Sequence, residues 1–191
     1  MFICPTVVDS CQKYNIATNS YSDCTSLPTA NYRHTATLVG GNSIVVAGGR
    51  SVEDSLMKDI VSLDIESNTW TTKLSNWKNA TSDAAAVAVG TDLYIIGGYL
   101  ADYTASSRVW KIDTTVSGQW TPVYVGDLLE GRGDIFAVLA GDGSVFVTGG
   151  FSHEDWCEAL STVEKWDFTG ECNHIIFVCL LNLLVHQMLT H

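Results

Sequence analysis

An all-β fold built from a repeated four-stranded antiparallel unit is predicted by three features of the sequence. Short apolar runs end in a glycine pair three times: "SIVVAGG" at Gly48 and Gly49, "DLYIIGG" at Gly97 and Gly98, and "GSVFVTGG" at Gly149 and Gly150. Downstream of each pair an aspartate follows an apolar residue (Asp64, Asp113, Asp167), and Trp70 and Trp120 come six or seven residues after the first two. Sixteen glycines and six tryptophans, in a chain of 191 residues whose apolar positions come in short clusters, favour strands over helices. Gly48 to Gly97 is 49 residues and Gly97 to Gly149 is 52, a period that marks a repeat architecture.

The unit starts before the first glycine pair. Stepping back 49 residues from Asp64 reaches Asn15, and the same step from Trp70 reaches Tyr21, an aromatic in the tryptophan's place. Residues 1–30 therefore read as the trailing half of one unit, followed by units at 31–80 and 81–130 and an incomplete one at 131–170. Within 31–80 the strands fall near 34–39, 43–47, 59–65 and 69–74, with Gly-Asn and Ser-Asn steps as hairpin turns. The second strand of each unit is continuously apolar ("IVVA", "LYII"), as expected of a sheet covered on both faces. The glycine pair supplies positive φ or a side-chain-free approach where the chain leaves this crowded strand. The tryptophan is expected on the last strand, packed against the adjoining unit.

After "VEKWDFTGE" the pattern stops. Residues 171–191, "ECNHIIFVCLLNLLVHQMLTH" from its first residue, hold no glycine pair and no aspartate-to-tryptophan spacing. Two readings stand for this tail: a truncated or misread gene boundary, or a native segment in which "HIIFVCLL" forms an outer strand or short helix over an open edge.

The leading half-unit, "SCQKYNIATNSYSDC", has a register of its own. A two-residue turn at Ala17 and Thr18 pairs Ile16 with Asn19, Tyr14 with Tyr21 and Cys11 with Cys24. Opposed residues of an antiparallel ladder have Cβ atoms about 4.5 to 5.5 Å apart, slightly long for a disulfide and closable with modest twist. The matching positions of the next unit are Ile60 and Lys73, so the repeat itself does not demand the pair. A Cys11–Cys24 disulfide would place the protein in an oxidising compartment; two free thiols would suit a reducing cytosol. No basic segment followed by a long apolar one opens the chain, which favours the cytosol.

Charge and motifs exclude several classes. Ten basic against twenty-one acidic residues give a net charge of -11, which opposes phosphate backbones and argues against nucleic acid. The longest apolar run, residues 175–185, is about half the roughly 20 residues of a membrane-spanning helix. The six cysteines form no CxxC pair, so zinc-ligand and thioredoxin-like spacings are missing. The loop "FSHEDWCEALS" at 151–161 carries potential metal ligands, but adjacent loop residues seldom converge on one ion, and it reads as a solvated acidic loop. No GxSxG or HExxH motif and no phosphate-cradling loop is present. "NAT" at Asn79 to Thr81 is an N-glycosylation acceptor pattern in an expected inter-unit loop.

The apolar run ending in Gly-Gly, the apolar residue before Asp, and the Trp together resemble the kelch family of β-propellers over residues 8 to about 170. The resemblance implies four-stranded blades around a central axis, and with no catalytic or metal-binding motif in the sequence the chain reads as a protein-interaction module with no cofactor and no catalysis of its own. Rings of this kind usually hold at least four blades, so this arc leaves open edges and self-association is expected. Some kelch-like propellers are enzymes, among them a copper radical oxidase and sugar-acid isomerases. His34, His153, His174, His186 and His191 show no recurring placement that would build such a centre. In some resembling propellers arginines beside the glycine pair or the strand entry hold acidic peptide groups, which makes Arg33, Arg50 and Arg132 candidate partner contacts. The variable loops after the glycine pairs are the expected recognition elements. A lectin-like or catalytic propeller acting on a sugar or small molecule, or a gene fragment without independent function, are the alternatives.

Overall fold

A computed structural model of the chain describes residues 6–152, 159–168 and 175–178. It contains a two-stranded hairpin and three four-stranded antiparallel sheets, each in simple up-and-down order. The hairpin is β1 (Cys11–Asn15) with β2 (Ser20–Cys24). The first blade is β3 (Thr35–Val39), β4 (Ser43–Ala47), β5 (Ile60–Asp64) and β6 (Thr69–Leu74). The second is β7 (Ala85–Val89), β8 (Asp92–Ile96), β9 (Arg108–Asp113) and β10 (Val123–Asp127). The third is β11 (Phe136–Leu139), β12 (Val145–Thr148), β13 (Thr162–Trp166) and β14 (Ile175–Val178). The first strands of successive blades lie side by side, β3 beside β7 and β7 beside β11, so these three line the axis. This is the all-β, propeller-type arrangement expected from the repeat.

The middle strands β4, β5 and β8 are the most buried, more so than the axial β3 or the outermost β6 and β10. In β4 Val45, Val46 and Ala47 are all buried, and in β8 Leu93 to Ile96 are, so side chains of both pleat faces are covered. The cover is the neighbouring blade. Val39, Val45 and Ile60 of the first blade pack with Leu93, Ile112 and Trp120 of the second. Val87, Ile96 and Val109 of the second meet Val145, Val147 and Trp166 of the third. The outer strands β6 and β10 are largely exposed.

The first two glycine pairs sit where one blade's exit meets the next blade's entry. Gly48 has a φ of 64°, and a Cβ built on it would lie 2.1 Å from the Thr81 carbonyl oxygen. Gly97 repeats this with a φ of 62° and 2.6 Å to the Arg132 carbonyl oxygen. The second glycine of each of these two pairs donates its N–H to the same carbonyl, Gly49 to Thr81 at 3.1 Å and Gly98 to Arg132 at 2.8 Å. Any side chain at the first glycine would break the seam that holds adjacent blades together.

One element differs from the sequence expectation, and another falls on one of the two readings of the tail. Trp120 does not lie on the last strand of its blade: Pro122, without an N–H to donate, delays the ladder, and β10 begins at Val123. Trp120 is nonetheless 4% exposed, packed in the seam between the first two blades, with its backbone N–H on the Lys73 carbonyl of β6. The third blade also continues past residue 170. The backbone of Ile175–Val178 pairs with the free edge of β13, Val163 opposite Phe177 and Glu164 opposite Ile176. A β-branched and aromatic run beside an open edge gives the physical reason.

In the hairpin, residues 16–19 form the turn and the pairing runs from Asn15 opposite Ser20 to Cys11 opposite Cys24. The sulfurs of Cys11 and Cys24 are joined, with Cα atoms 5.1 Å apart. The hairpin leans on the first blade through the Trp70 indole, which donates to the Thr25 carbonyl at 2.8 Å, and through Thr25, which bonds both the side chain and the carbonyl of Asn68.

Candidate partner-docking face

The residue after each glycine pair is held in the same way in all three blades. Arg50, Tyr99 and Phe151 form a backbone bridge with the strand entry on one side (Tyr32, Ser82, Gly133) and the end of the following loop on the other (Leu56, Ala105, Ala159). These bridges anchor the ends of the three post-glycine loops at one rim. The strand entries are linked around that rim as well: Asp83 donates its N–H to the Arg33 carbonyl, and Asp134 donates to the Asp83 carbonyl.

Arg33, Asp83 and Asp134 are therefore the same position of three successive blades. All three have left-handed backbones, with φ of 57°, 56° and 55°. This sparsely populated region costs energy for residues other than glycine, and such residues cluster at functional sites. Their side chains meet at the mouth of a cleft of about 490 Å³ along the axis. Arg33 Nη1 lies 3.4 Å from an Asp83 carboxylate oxygen. Burial, opposed by hydrogen bonding from Ser82 and by the charge of Arg33, pushes the Asp83 carboxyl up, and the Asp134 charge adds to the rise.

Beside this mouth the loops of the first two blades share a hydrogen-bonded cluster. Asp54 accepts from the Tyr32 hydroxyl at 2.6 Å and from the Tyr103 hydroxyl at 2.6 and 2.8 Å. The two phenols hold the Asp54 carboxyl below the ordinary range, and the bond to Asp54 pushes the Tyr32 phenol up to about 12. The Tyr99 hydroxyl donates to Asp134 at 3.3 Å, and burial with the nearby carboxylate raises that phenol to about 12.

The three candidate arginines lie in different settings. Arg33 has 36% of its side chain exposed and stands at the rim. Arg50 is 1% exposed; it stacks on the Tyr103 ring at 3.7 Å and donates to Ser82 Oγ and to the carbonyls of Asp54 and Leu100. Arg132 is also 1% exposed, and its guanidinium donates to the carbonyls of Gly149 and Thr162, to Thr162 Oγ1 and to Glu164 at 3.0 Å. Arg50 ties two loops together and Arg132 ties strands within its blade. Their donors are used inside the chain, in line with a buried guanidinium's need for complete pairing.

Sequence reading named Arg33 but missed Asp83, Asp134, Tyr32, Asp54 and Tyr103. The first two were accessible from the repeat phase, since Arg33 to Asp83 is 50 residues and Asp83 to Asp134 is 51. Asp54 and Tyr103 lie in loops of different sequence, and no spacing rule joins them. Among the described residues no group of three or more His, Cys, Asp and Glu is placed to hold a metal ion. The acidic stretch from His153 to Glu158 lies outside the described residues, as do His174, His186 and His191. Asn79 is half-buried and accepts from Arg108 at 3.3 Å in the loop between β6 and β7. Among the described residues no helix is long and apolar enough to cross a membrane.

Comparison with known proteins agrees with this fold. The solved structure titled "Structure of YjhT" superimposes with a TM-score of 0.70 over 83% of this chain and 60% of its own, at 18% identity, which speaks to the fold alone. The "Kelch repeat protein M-T8" of Myxoma virus (strain Lausanne) is 34% identical over 77 residues, 39% of this chain and 15% of its own length. The "Kelch repeat and BTB domain-containing protein 4" of Macaca fascicularis is 30% identical over 101 residues, 51% of this chain and 18% of its own. A third relative, the "tRNA wybutosine-synthesizing protein 2/3/4" of Arabidopsis thaliana, is 32% identical over 103 residues, 49% of this chain and 10% of its own. The chain thus spans less than a fifth of the length of these relatives. Residues 6–169 match the KLHDC2/KLHL20/DRC7 Kelch-repeats domain, and with glycine-pair seams and four-stranded blades in phase the chain belongs to the kelch-repeat family.

Proposed function

We propose that the chain is a protein-recognition module without catalysis of its own, docking a partner protein on the rim formed by the post-glycine loops. The observation that carries this is the convergence of Arg33, Asp83 and Asp134 from three blades on one mouth, beside the Asp54 cluster that fixes two loops. Rigid strands hold these loops, so a partner meets a preorganised surface and the ordering cost of binding is reduced. Arg33 is the direct contact for an acidic group. Arg50 and Arg132 serve by holding the loops and strand ends in place.

The test is affinity capture from native source material with wild-type and Arg33→Glu proteins, followed by a direct titration of any partner lost from the variant. The expected result is a partner whose affinity falls by roughly tenfold or more, as for loss of a charge-assisted contact, with an unchanged melting profile. A partner bound equally by both proteins would move the docking surface away from this rim.

A further inference from the structure

A second cleft lies at the opposite end of the strands, between the first and second blades, with a volume of about 410 Å³. It is walled by Ser43, Ser62, Asp64, Thr71, Lys73 and Thr91, and its floor includes the buried Trp120. Its origin is visible by comparing blades. The ladder pairs Ser43 with Asp64 in the first blade and Asp92 with Asp113 in the second, so Ser43 stands where the second blade has Asp92. Ser62, two residues before Asp64, stands where the others have Lys111 and Lys165. Those lysines make ion pairs, Lys111 with Asp92 at 2.6 Å and Lys165 with Asp142 at 3.1 Å. In the first blade two small hydroxyls replace the pair, and space opens in its place.

Lys73 enters that space from β6. Its ammonium lies 5.6 Å from the Trp120 ring centre, and among the described residues no carboxylate lies within ion-pairing distance of it. The hydroxyls of Ser43, Ser62, Thr71 and Thr91 likewise have no side-chain hydrogen-bond partner among the described residues, although Ser62 is only 5% exposed. One ammonium and four hydroxyls thus face one cleft with unused donors. On the same wall the Asp64 carboxylate accepts from the Ser67 N–H and hydroxyl on one oxygen and from Asn42 on the other, leaving lone pairs on both.

We propose that this cleft binds a small phosphorylated polyol. The phosphate group sits against Lys73 and the serine and threonine hydroxyls, where a tetrahedral oxyanion with several acceptor oxygens uses more of the converging donors than a planar carboxylate would. A ligand hydroxyl donates to Asp64, which makes the acidic wall an attachment point rather than a source of repulsion. The site lies away from the loop rim and does not depend on protein docking there.

The experiment is a calorimetric titration of the full chain, in whatever association state it adopts, with inorganic phosphate, glucose and glucose 6-phosphate as probes. Expected is saturable binding of the sugar phosphate, tighter than either inorganic phosphate or glucose. Lys73→Met should weaken it roughly tenfold or more, the loss of one charge-assisted hydrogen bond. A Ser43→Asp, Ser62→Lys double variant imports the ion pair that the second blade already accommodates, and it should abolish binding while the melting profile is kept. No saturable binding of the sugar phosphate at millimolar concentration overturns the proposal, as does binding that Lys73→Met leaves unchanged. Inorganic phosphate binding as tightly as the sugar phosphate overturns the polyol half.

Discussion

Trp70 and Trp120 occupy corresponding places in the sequence, yet their surroundings set different expected costs for their removal. Trp120 is 4% exposed in the seam between two blades, with its indole N–H on the Val116 carbonyl. Trp120→Ala should destabilise by about 3 to 5 kcal/mol, the range for a large core aromatic. Trp70 is half-buried and contributes mainly one indole hydrogen bond to the Thr25 carbonyl and cover for the hairpin, so Trp70→Ala should cost about 1 to 2 kcal/mol. Denaturant unfolding of both variants measures this, and equal losses would contradict the difference in burial. The glycine pairs were legible because a steric requirement repeats with the blades and leaves a residue type behind. The arginines were legible as positions but not as environments. Burial of Arg50 and Arg132 depends on Tyr103 and Glu164, which lie 53 and 32 residues away, and no local pattern marks those partners.

At the scale of elements, the hairpin of β1 and β2 stands apart from the other sheets. A two-stranded sheet alone is marginal in water, and here Ile16 is 85% and Tyr21 70% exposed. The cross-link between Cys11 and Cys24 closes a loop with a sequence separation of 13, for which the chain-entropy account gives about 3 kcal/mol. We expect protein from its native source, alkylated before reduction, to yield a linked peptide spanning both cysteines. Hydrogen exchange of the amides from 11 to 24 should then speed up on reduction while the blades stay protected. Full alkylation of both thiols without reductant would rule out the cross-link in the cell; its presence would place the protein in an oxidising compartment. The hairpin register could be read from sequence because a short turn and period-two side chains fix it. The start of β10 could not be timed from the tryptophan, because Pro122 shifts the ladder after Trp120 is already placed. The fourth strand of the third blade was open to sequence reading only as one of two alternatives, since "HIIFVCLL" carries none of the repeat's punctuation.

At the scale of the molecule, each blade is covered by its neighbours, so an arc of blades ends in surfaces that its own described residues do not cover. On the first strand of the third blade Phe136 is 80% and Val138 59% exposed, whereas Ala85 and Val87, in β7 of the blade before, are buried. At the other end, β1 pairs only with β2, while the corresponding β5 pairs on both edges, with β4 and β6. An unpaired strand edge together with exposed apolar groups is the combination that recruits another chain. The polypeptide of residues 1–191, made alone, is therefore expected to self-associate. Sedimentation velocity should show species above the monomer mass whose proportion rises with concentration, and Phe136→Lys, which charges the open face without touching a seam, should shift the distribution toward monomer. A sharp monomer with a cooperative melt at every concentration would mean that the ends are covered by parts of the same chain. A distribution unmoved by Phe136→Lys would place the contact at the β1 edge, where Gln12→Pro would serve as the second test by removing a backbone donor from that strand.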